Sequence, residues 1–504
     1  MTRDTSLERL VNATLLVPFP GATAPRWVLD GLEQGLSGVT LFAINGNVPG
    51  SDELAELTAR LRRYADPLIS IDEEGGDVTR LAHETGSPYP GSAALGALDD
   101  PATTRRVHRS LGAELREVGV NLDFAPSADV NTADDNPIIG TRAFGSDAAL
   151  VARHVTAAVT GLQEAGVAAC AKHFPGHGAT SQDSHLEIPT VLADLSLLDR
   201  RELVPFRAAI DAGVAAIMTA HLRVPALTGD DPATLSPAAV TGLLRGTLGY
   251  DGPVITDALD MRAASDAIGI PEAAVRAVLA GADLLCLGSR EYEDSVRAIR
   301  EHLVTAVRDG RLPGERLEEA AGRVTALKAW LATAESAEVD RAAGLEAARR
   351  AVRVTGAPSV SPGPFVVEIQ APSNIAVGPV PWGLGPWAAD AVPVEAGDAD
   401  ARRLLERADG RSLVIVVRDA HRYAGHRALV SALLAARPDA VLVEMGLPVW
   451  RPEGVAYVAT YGATRANARA AAEVIGLVQP VAGSEEGGRP IGASEPDTAS
   501  GVGG

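Results

Sequence analysis

An α/β fold, a (β/α)8 TIM-type barrel followed by a smaller α/β sandwich domain, is the architecture this sequence predicts. Three observations predict it. Short, unbroken apolar runs alternate with amphipathic, helix-like stretches eight times over the first 290 or so residues. Strands buried on both faces read as such runs, and helices between them imply parallel pairing. Polar residues collect at the C-terminal ends of those runs, which is where barrel enzymes carry their active sites. After a helical region the apolar runs resume in a shorter series, long enough for a second, smaller sheet.

The eight barrel strands are expected at 12–19, 38–44, 67–72, 120–126, 167–173, 214–221, 252–258 and 282–288. Between them, ATTRRVHRSLGAELREVG and DLSLLDRRELVPFRAAIDAG read as helices that stop at glycine, as helices tend to. An open, doubly wound sheet is the alternative arrangement of the same elements. Helices are expected over 290–335 and 336–353, followed by strands at 365–370, 412–418, 440–446 and 455–462. The stretch SPGPFVVEIQAPSNIAVGPVPWGLGP is rich in Pro and Gly and is expected to loop over the surface. From 481 no apolar periodicity remains, so a disordered tail is expected. The division is therefore 1–335 for the barrel, 336–480 for the second α/β domain and 481–504 for the tail.

Bulk properties narrow the function. A chain of 504 residues is too long for one ordinary core. A net charge of -20 argues against nucleic acid and anionic membranes as partners. No apolar run approaches the ~20 residues of a membrane span. Cys170 and Cys286 each close an apolar run and read as buried, reduced thiols, and the N-terminal stretch shows no secretory h-region. The cytoplasm is the expected location. The basic residues are almost all arginine; Lys172 and Lys328 are the two lysines. Lys172 falls inside the densest polar motif, KHFPGHGATSQDSH (172–185).

In that motif Pro175, Gly176 and Gly178 forbid a helix, so a polar loop is expected above the barrel rim. Asp183 stands two residues before His185. From there it can accept a hydrogen bond from one ring nitrogen and raise the basicity of the other, suiting His185 to proton exchange near pH 7. A metal is the competing reading, since His173 and His177 are four apart. The Pro-Gly between them breaks the helix such spacing needs, so no metal and no cofactor is expected. The plainest alternative is a surface loop whose histidines bond to the backbone.

Asp257 ends the run GPVITDA, where a carboxylate is costly to bury without a purpose. It reads as a nucleophile or as the N-cap of the next helix, with Asp260 as another cap candidate. In SIDEEGGDVTRL (70–81), Asp72 and Arg80 suit charge-assisted bonds to sugar hydroxyls, or an ordinary salt bridge. Arg142, in NPIIGTRAFGSD (136–147), sits in a long loop where a lone arginine is usually solvated. Asp123 and His221 end two further runs. Each plain alternative is credible alone, but all of these sites fall at one rim of the proposed barrel.

The ordered set IDEEGG…R, NPIIGTRAFGSD, KHFPGHG…DSH and VITDALDM resembles family 3 glycoside hydrolases. KHFPGHG followed by D-S-H resembles their β-N-acetylglucosaminidase (β-hexosaminidase) branch, two-domain type. The likeness covers roughly residues 10–335. It implies a retaining exo-β-N-acetylglucosaminidase acting on terminal β-linked N-acetylglucosamine, with cell-wall recycling favoured over chitin fragments as its setting. It implies Asp257 as nucleophile and His185 as general acid/base, oriented by Asp183. Asp72, Arg80, Arg142, Lys172 and His173 would bind the sugar, and His177 would support the loop. N-acetylglucosamine-containing glycans are then the partners, with no obligate protein partner evident. A phosphorylase on the same site is the nearest rival, because a histidine acid/base does not repel phosphate. The family pattern after Asp72 is Gln-Glu-Gly-Gly-Arg; here it is Glu73-Glu74-Gly75-Gly76-Asp77. Those two acidic changes are expected to bear on the leaving group.

Overall fold

The computed structural model describes residues 5–180 and 188–480. Asp183, His185 and the expected tail from 481 therefore lie outside the described residues. Eight strands appear where the apolar runs predict them: β1 (Leu15–Val17), β2 (Gly38–Thr40), β3 (Leu68–Ile71), β4 (Leu122–Asp123), β5 (Ala168–Phe174), β6 (Ala216–Thr219), β7 (Val254–Ile255) and β8 (Leu285–Cys286). All are parallel, in the order β7-β6-β5-β4-β3-β2-β1-β8. A bridge between Ile255 and Leu284 joins the two ends, with Thr256 N–H donating to Leu284 O at 2.9 Å. The sheet is thus a closed barrel, and the open-sheet alternative is excluded.

Alternation along the strands sorts the core into two layers. Leu16, Leu68, Leu122, Cys170 and Met218 point into the barrel, where Val324, Leu327 and Leu331 of the helix Gly314–Thr333 close its lower end. Leu15, Val17, Val39, Ile69 and Ala171 point outward against the surrounding helices. Cys170 and Cys286 are buried and unbridged, as expected. The lower pole holds a buried ionic cluster of its own. Asp283 is fully buried there among Arg245, Arg316 and Arg323, and accepts Val254 N–H at 2.9 Å. It ties helices to the barrel floor.

The helix over Pro101–Glu117 starts with Asp100 accepting from Ala102 N and Thr103 N and ends before Gly119 at φ 80°. The stretch 194–213 differs from expectation, forming two helices, Leu195–Arg200 and Leu203–Asp211. Pro205 has no N–H to offer the carbonyl of Arg201, so it is tolerated only in the first turn of a new helix.

The second sheet has the order β11-β10-β12-β13-β14-β9. The four expected strands are β10 (Phe365–Ile369), β12 (Leu413–Val417), β13 (Val441–Glu444) and β14 (Ala456–Ala459). β9 (Arg353–Thr355) and β11 (Ala391–Val394) were not legible as apolar runs. Both are edge strands: β9 is exposed and antiparallel to β14, and β11 carries Pro393, which only an edge tolerates. The loop that follows β10 does not simply cross the surface. Residues 374–380 lie at the mouth of the barrel, tied there by Asn374 Nδ2 donating to Pro137 O at 3.1 Å.

Candidate active site

The upper ends of the barrel strands surround a cavity of about 480 Å³. Asp72 follows β3, Lys172 and His173 close β5, and Asp257 follows β7. Arg80, Arg142 and His177 reach the same cavity from the loops after β3, β4 and β5. Every expected site residue that lies among the described residues is therefore gathered in one place. Asp257 is half-buried at the wall, its Oδ1 accepting Ala258 N–H at 2.8 Å. Asp260 caps no helix. It accepts from Ser289 N at 2.9 Å and Arg290 N at 3.3 Å and so ties the loop after β8 to the cavity.

The floor is a buried network of fixed charges. Lys172, 2% exposed, bonds to Asp72 and lies 2.8 Å from Glu74 Oε1. Arg142 grips Glu74 with both Nε and Nη2 (2.9 and 2.6 Å) and donates to Ile138 O at 3.1 Å. The plain alternative of a solvated arginine does not hold: Arg142 is 5% exposed. Its loop folds inward because Ile138, Ile139 and Ala143 pack together and Asn136 Oδ1 accepts from Ile138 N and Ile139 N. Burial alone would raise the Glu74 carboxyl, but Arg142 and Lys172 hold it well below the carboxylate range. Burial would likewise lower Lys172, yet Asp72 and Glu74 keep its ammonium above the usual value. Groups pinned in one charge state bind and orient; they do not exchange protons near neutral pH.

Asp129 escaped the sequence reading and organises the other side of the floor. Fully buried, it accepts from His173 Nδ1 at 2.7 Å, His177 N at 2.6 Å and Ser127 Oγ at 3.0 Å. Burial opposes its charge, but His173 and these donors hold it below the usual range. The bonding assigns the His173 proton to Nδ1, leaving Nε2 to face Arg142 Nη2 at 3.4 Å. The available signal was an aspartate inside the apolar run FAPSADV, where an unpartnered carboxylate is costly. His177 bonds to Thr180 Oγ1 at 2.9 Å, and burial pushes its ring down to about 4, so it stays neutral. Among the described residues no group of three or more His, Cys, Asp or Glu side chains is placed to hold a metal ion.

Four other residues of these strand ends and motifs prove structural. Asp123 is fully buried under Glu73 N (3.0 Å) and does not line the cavity. His221 bridges Thr234 Oγ1 (2.8 Å) and Ala258 O (3.0 Å), bracing the segment that carries Asp257. The two acidic departures after Asp72 do not line the cavity. Glu73 accepts from Thr79 Oγ1, Arg80 N and Leu81 N and closes its own turn. Asp77 accepts from Thr141 Oγ1, Arg418 Nη2 and Ala463 N, joining the barrel to the second sheet. Arg80 has a similar double allegiance: it holds Asp72 Oδ2 at 3.1 Å and the carbonyls of Ala376 and Val377 at 2.7 and 3.4 Å.

Residues 26–327 match the family model for the glycosyl hydrolase family 3 N-terminal domain. The chain belongs to glycoside hydrolase family 3. As a member of that family it is a glycosidase. Beta-hexosaminidase LpqI of Mycobacterium tuberculosis is 39% identical over 308 residues, spanning 58% of this chain and 77% of the relative. Among solved structures, a family 3 beta-N-acetylglucosaminidase from a Paenibacillus species matches 94% of this chain and 97% of its own, with TM-score 0.83 and 34% identity. The structure of LpqI matches 64% of this chain and 93% of its own, with TM-score 0.57 and 35% identity. Among the described residues of this family member, no helix is long and apolar enough to cross a membrane.

Proposed function

We propose that the protein is a retaining exo-β-N-acetylglucosaminidase that removes terminal β-linked N-acetylglucosamine from cell-wall or chitin-derived oligosaccharides. The observation that carries this reading is Asp257, half-buried at the wall of the cavity whose floor holds Asp72, Arg142, Lys172 and His173. The likeness to proteins named beta-hexosaminidase and beta-N-acetylglucosaminidase supports the choice of sugar. The Asp257 carboxylate attacks the anomeric carbon and displaces the leaving oxygen, forming a covalent glycosyl-enzyme. Arg142 and Lys172 are held in their charged forms by the carboxylates beside them, and protonation falls to His185, with Asp183 orienting its ring. Water activated by the same His185 then releases the sugar. This replaces the second carboxylate of most glycosidases. Separating attack from proton transfer keeps the two tasks at different pKa values. We extend the proposal to the cytoplasm, on the buried, unbridged Cys170 and Cys286, which suit a reducing compartment; recovery of the activity in the soluble cell fraction is the check.

Kinetics on p-nitrophenyl N-acetylglucosaminide and chitobiose, with phosphate present and absent, test this. Asp257→Ala should lower kcat/KM on both by about 10⁴-fold or more. His185→Ala should lower kcat/KM on chitobiose by about 10²–10⁴-fold but spare the aryl glycoside, whose leaving group needs little protonation. Equal losses on both substrates would remove His185 from the role. Sugar 1-phosphate as the main product would replace the hydrolase with a phosphorylase.

A further inference from the structure

The lower pole of the barrel, opposite the proposed active site, carries a second polar cavity. It measures about 100 Å³ and lies below β3 and β4, where the helices Ser51–Arg62, Pro101–Glu117 and Gly314–Thr333 come together. Each helix delivers one cation to it: Arg62, Arg116 and Lys328. Asp66 is the carboxylate in its lining, so three cations against one anion leave a local charge of +2, in a chain whose net charge is -20. Arg62 and Asp66 are exposed, with Arg116 and Lys328 half-buried beside them, so ions reach the cavity from solvent.

Helix ends explain part of this. Arg62 and Arg116 stand in the last turns of their helices, where a cation complements the backbone dipole. Each also donates to a loop carbonyl, Arg62 Nη2 to Gly119 O at 2.6 Å and Arg116 Nη1 to Gly166 O at 3.1 Å. A guanidinium has five N–H donors, so these bonds orient the two side chains without using them up. Among the described residues none of the three cations joins an ion pair, whereas Arg245, Arg316 and Arg323 at the same pole all pair with Asp283. Gathering them is unfavourable in itself. Partial burial and repulsion from Arg116 lower the Arg62 guanidinium, and burial lowers the Lys328 ammonium more than Asp66 restores it. The walls are fixed: Asn121 accepts Ile69 N–H at 2.7 Å and donates to Pro67 O at 3.0 Å, and Leu331, one turn beyond Lys328, packs into the lower core of the barrel.

We infer that this cavity is a phosphate-binding site, with Arg62, Arg116 and Lys328 holding the phosphoryl oxygens. Charge and size both fit. A phosphate group carries close to two negative charges at neutral pH, which matches the local excess. The cavity admits a tetrahedral oxyanion but not a sugar ring, and two planar guanidinium forks with one ammonium suit its oxygens. Bound there, the anion would tie the helix that closes the barrel's lower end to two helices outside the sheet, so it stabilises the folded barrel. The site lies at the opposite pole from Asp257 and stands whatever sugar the upper cavity takes.

Titration calorimetry of the full-length protein with inorganic phosphate, at an ionic strength held constant with sodium chloride, tests this. The wild type should bind with a Kd of about 1 mM or tighter, and phosphate at about ten times Kd should raise the melting temperature by about 1–3 °C. Arg62→Gln/Lys328→Gln should weaken binding by about tenfold or more. Asp66→Asn should tighten it about two- to fivefold, a gain that a misfolded variant could not give. Glucose 6-phosphate is the second ligand: binding as tight as that of phosphate assigns the site to a phosphoryl group on a larger molecule, and binding of inorganic phosphate alone assigns it to the free ion. No phosphate binding by the wild type at about 10 mM would overturn the inference. So would an affinity unchanged in the double variant, which would move the phosphate to Arg142 and Lys172 of the upper cavity, or an Asp66→Asn protein that binds no more tightly than the wild type.

Discussion

Glu74 shares its carboxylate between Arg142 and Lys172 and is itself only 5% exposed. Truncation would leave two buried cations facing each other, so Glu74→Ala should cost about 3–5 kcal/mol of stability by urea denaturation. A loss below about 1 kcal/mol would mean that water replaces the carboxylate. His108 gives a cleaner pH signature. Burial pushes its ring from the usual 6.5 down to about 4, while Nδ1 bonds to Thr104 O at 2.9 Å. Above pH 6.5 the ring is neutral folded or unfolded, and its contribution is intact. As pH falls from 6.5 towards 4 only the unfolded chain takes the proton, so stability is lost by about 1.4 kcal/mol per pH unit. His108→Gln should lack that slope, so unfolding curves of the two proteins should converge or cross over this range; parallel pH dependences would refute it. At this scale the sequence showed the residues that face the cavity, because polar groups ending apolar strands stand out. It did not show Asp129, whose meaning depends on His173, 44 positions away.

The element that does most to shape the site is β5 with its loop. Apolar residues carry the strand into the barrel wall, and Lys172 and His173 turn up at its end over the floor. The loop then returns against the segment after β4. A Cβ on Gly178 would come within 2.0 Å of Val130 O, and Gly178 O accepts Thr132 N–H at 3.0 Å. Gly178→Ala should therefore push the loop away from Val130. We expect a lower melting temperature and at least about a tenfold loss of kcat/KM, since small displacements of positioned groups are costly. Normal activity with normal stability would show that the loop tolerates the shift. Strands buried on both faces were legible as elements because nothing but apolar residues suits them. β9 and β11 were not, because edge strands keep one side in water and lose the pattern.

Across the whole molecule, the barrel and the second sheet meet through a few buried polar contacts. Asp77, 8% exposed, accepts from Thr141, Arg418 and Ala463 at once, and Arg418 Nη2 lies 2.9 Å from it. Burial opposes the Arg418 charge, and Asp77 is what restores it above the usual range. Asp77→Ala should cost about 3–5 kcal/mol and speed limited proteolysis of the second sheet's loops. An unchanged digestion pattern would show that the other contacts suffice. The second sheet thus places its loop over the cavity, with Arg80 holding loop and Asp72 together.

By itself the sequence determined the barrel, its eight strands, the pole at which the polar residues gather and the family. Each of these follows from local pattern: continuous burial, helical amphipathicity and motifs whose residues are close neighbours in the chain. Tertiary structure alone decided that Arg142 is a buried partner of Glu74, that Asp129 orients His173, that Glu73 and Asp77 are structural, and that a loop beyond residue 370 walls the cavity. Glu73 finds its partners within 8 positions, but the other pairings join charges and donors 44 to 386 positions apart in the chain. Burial then turns such a pairing from a weak surface contact into a fixed one, and no local pattern records it.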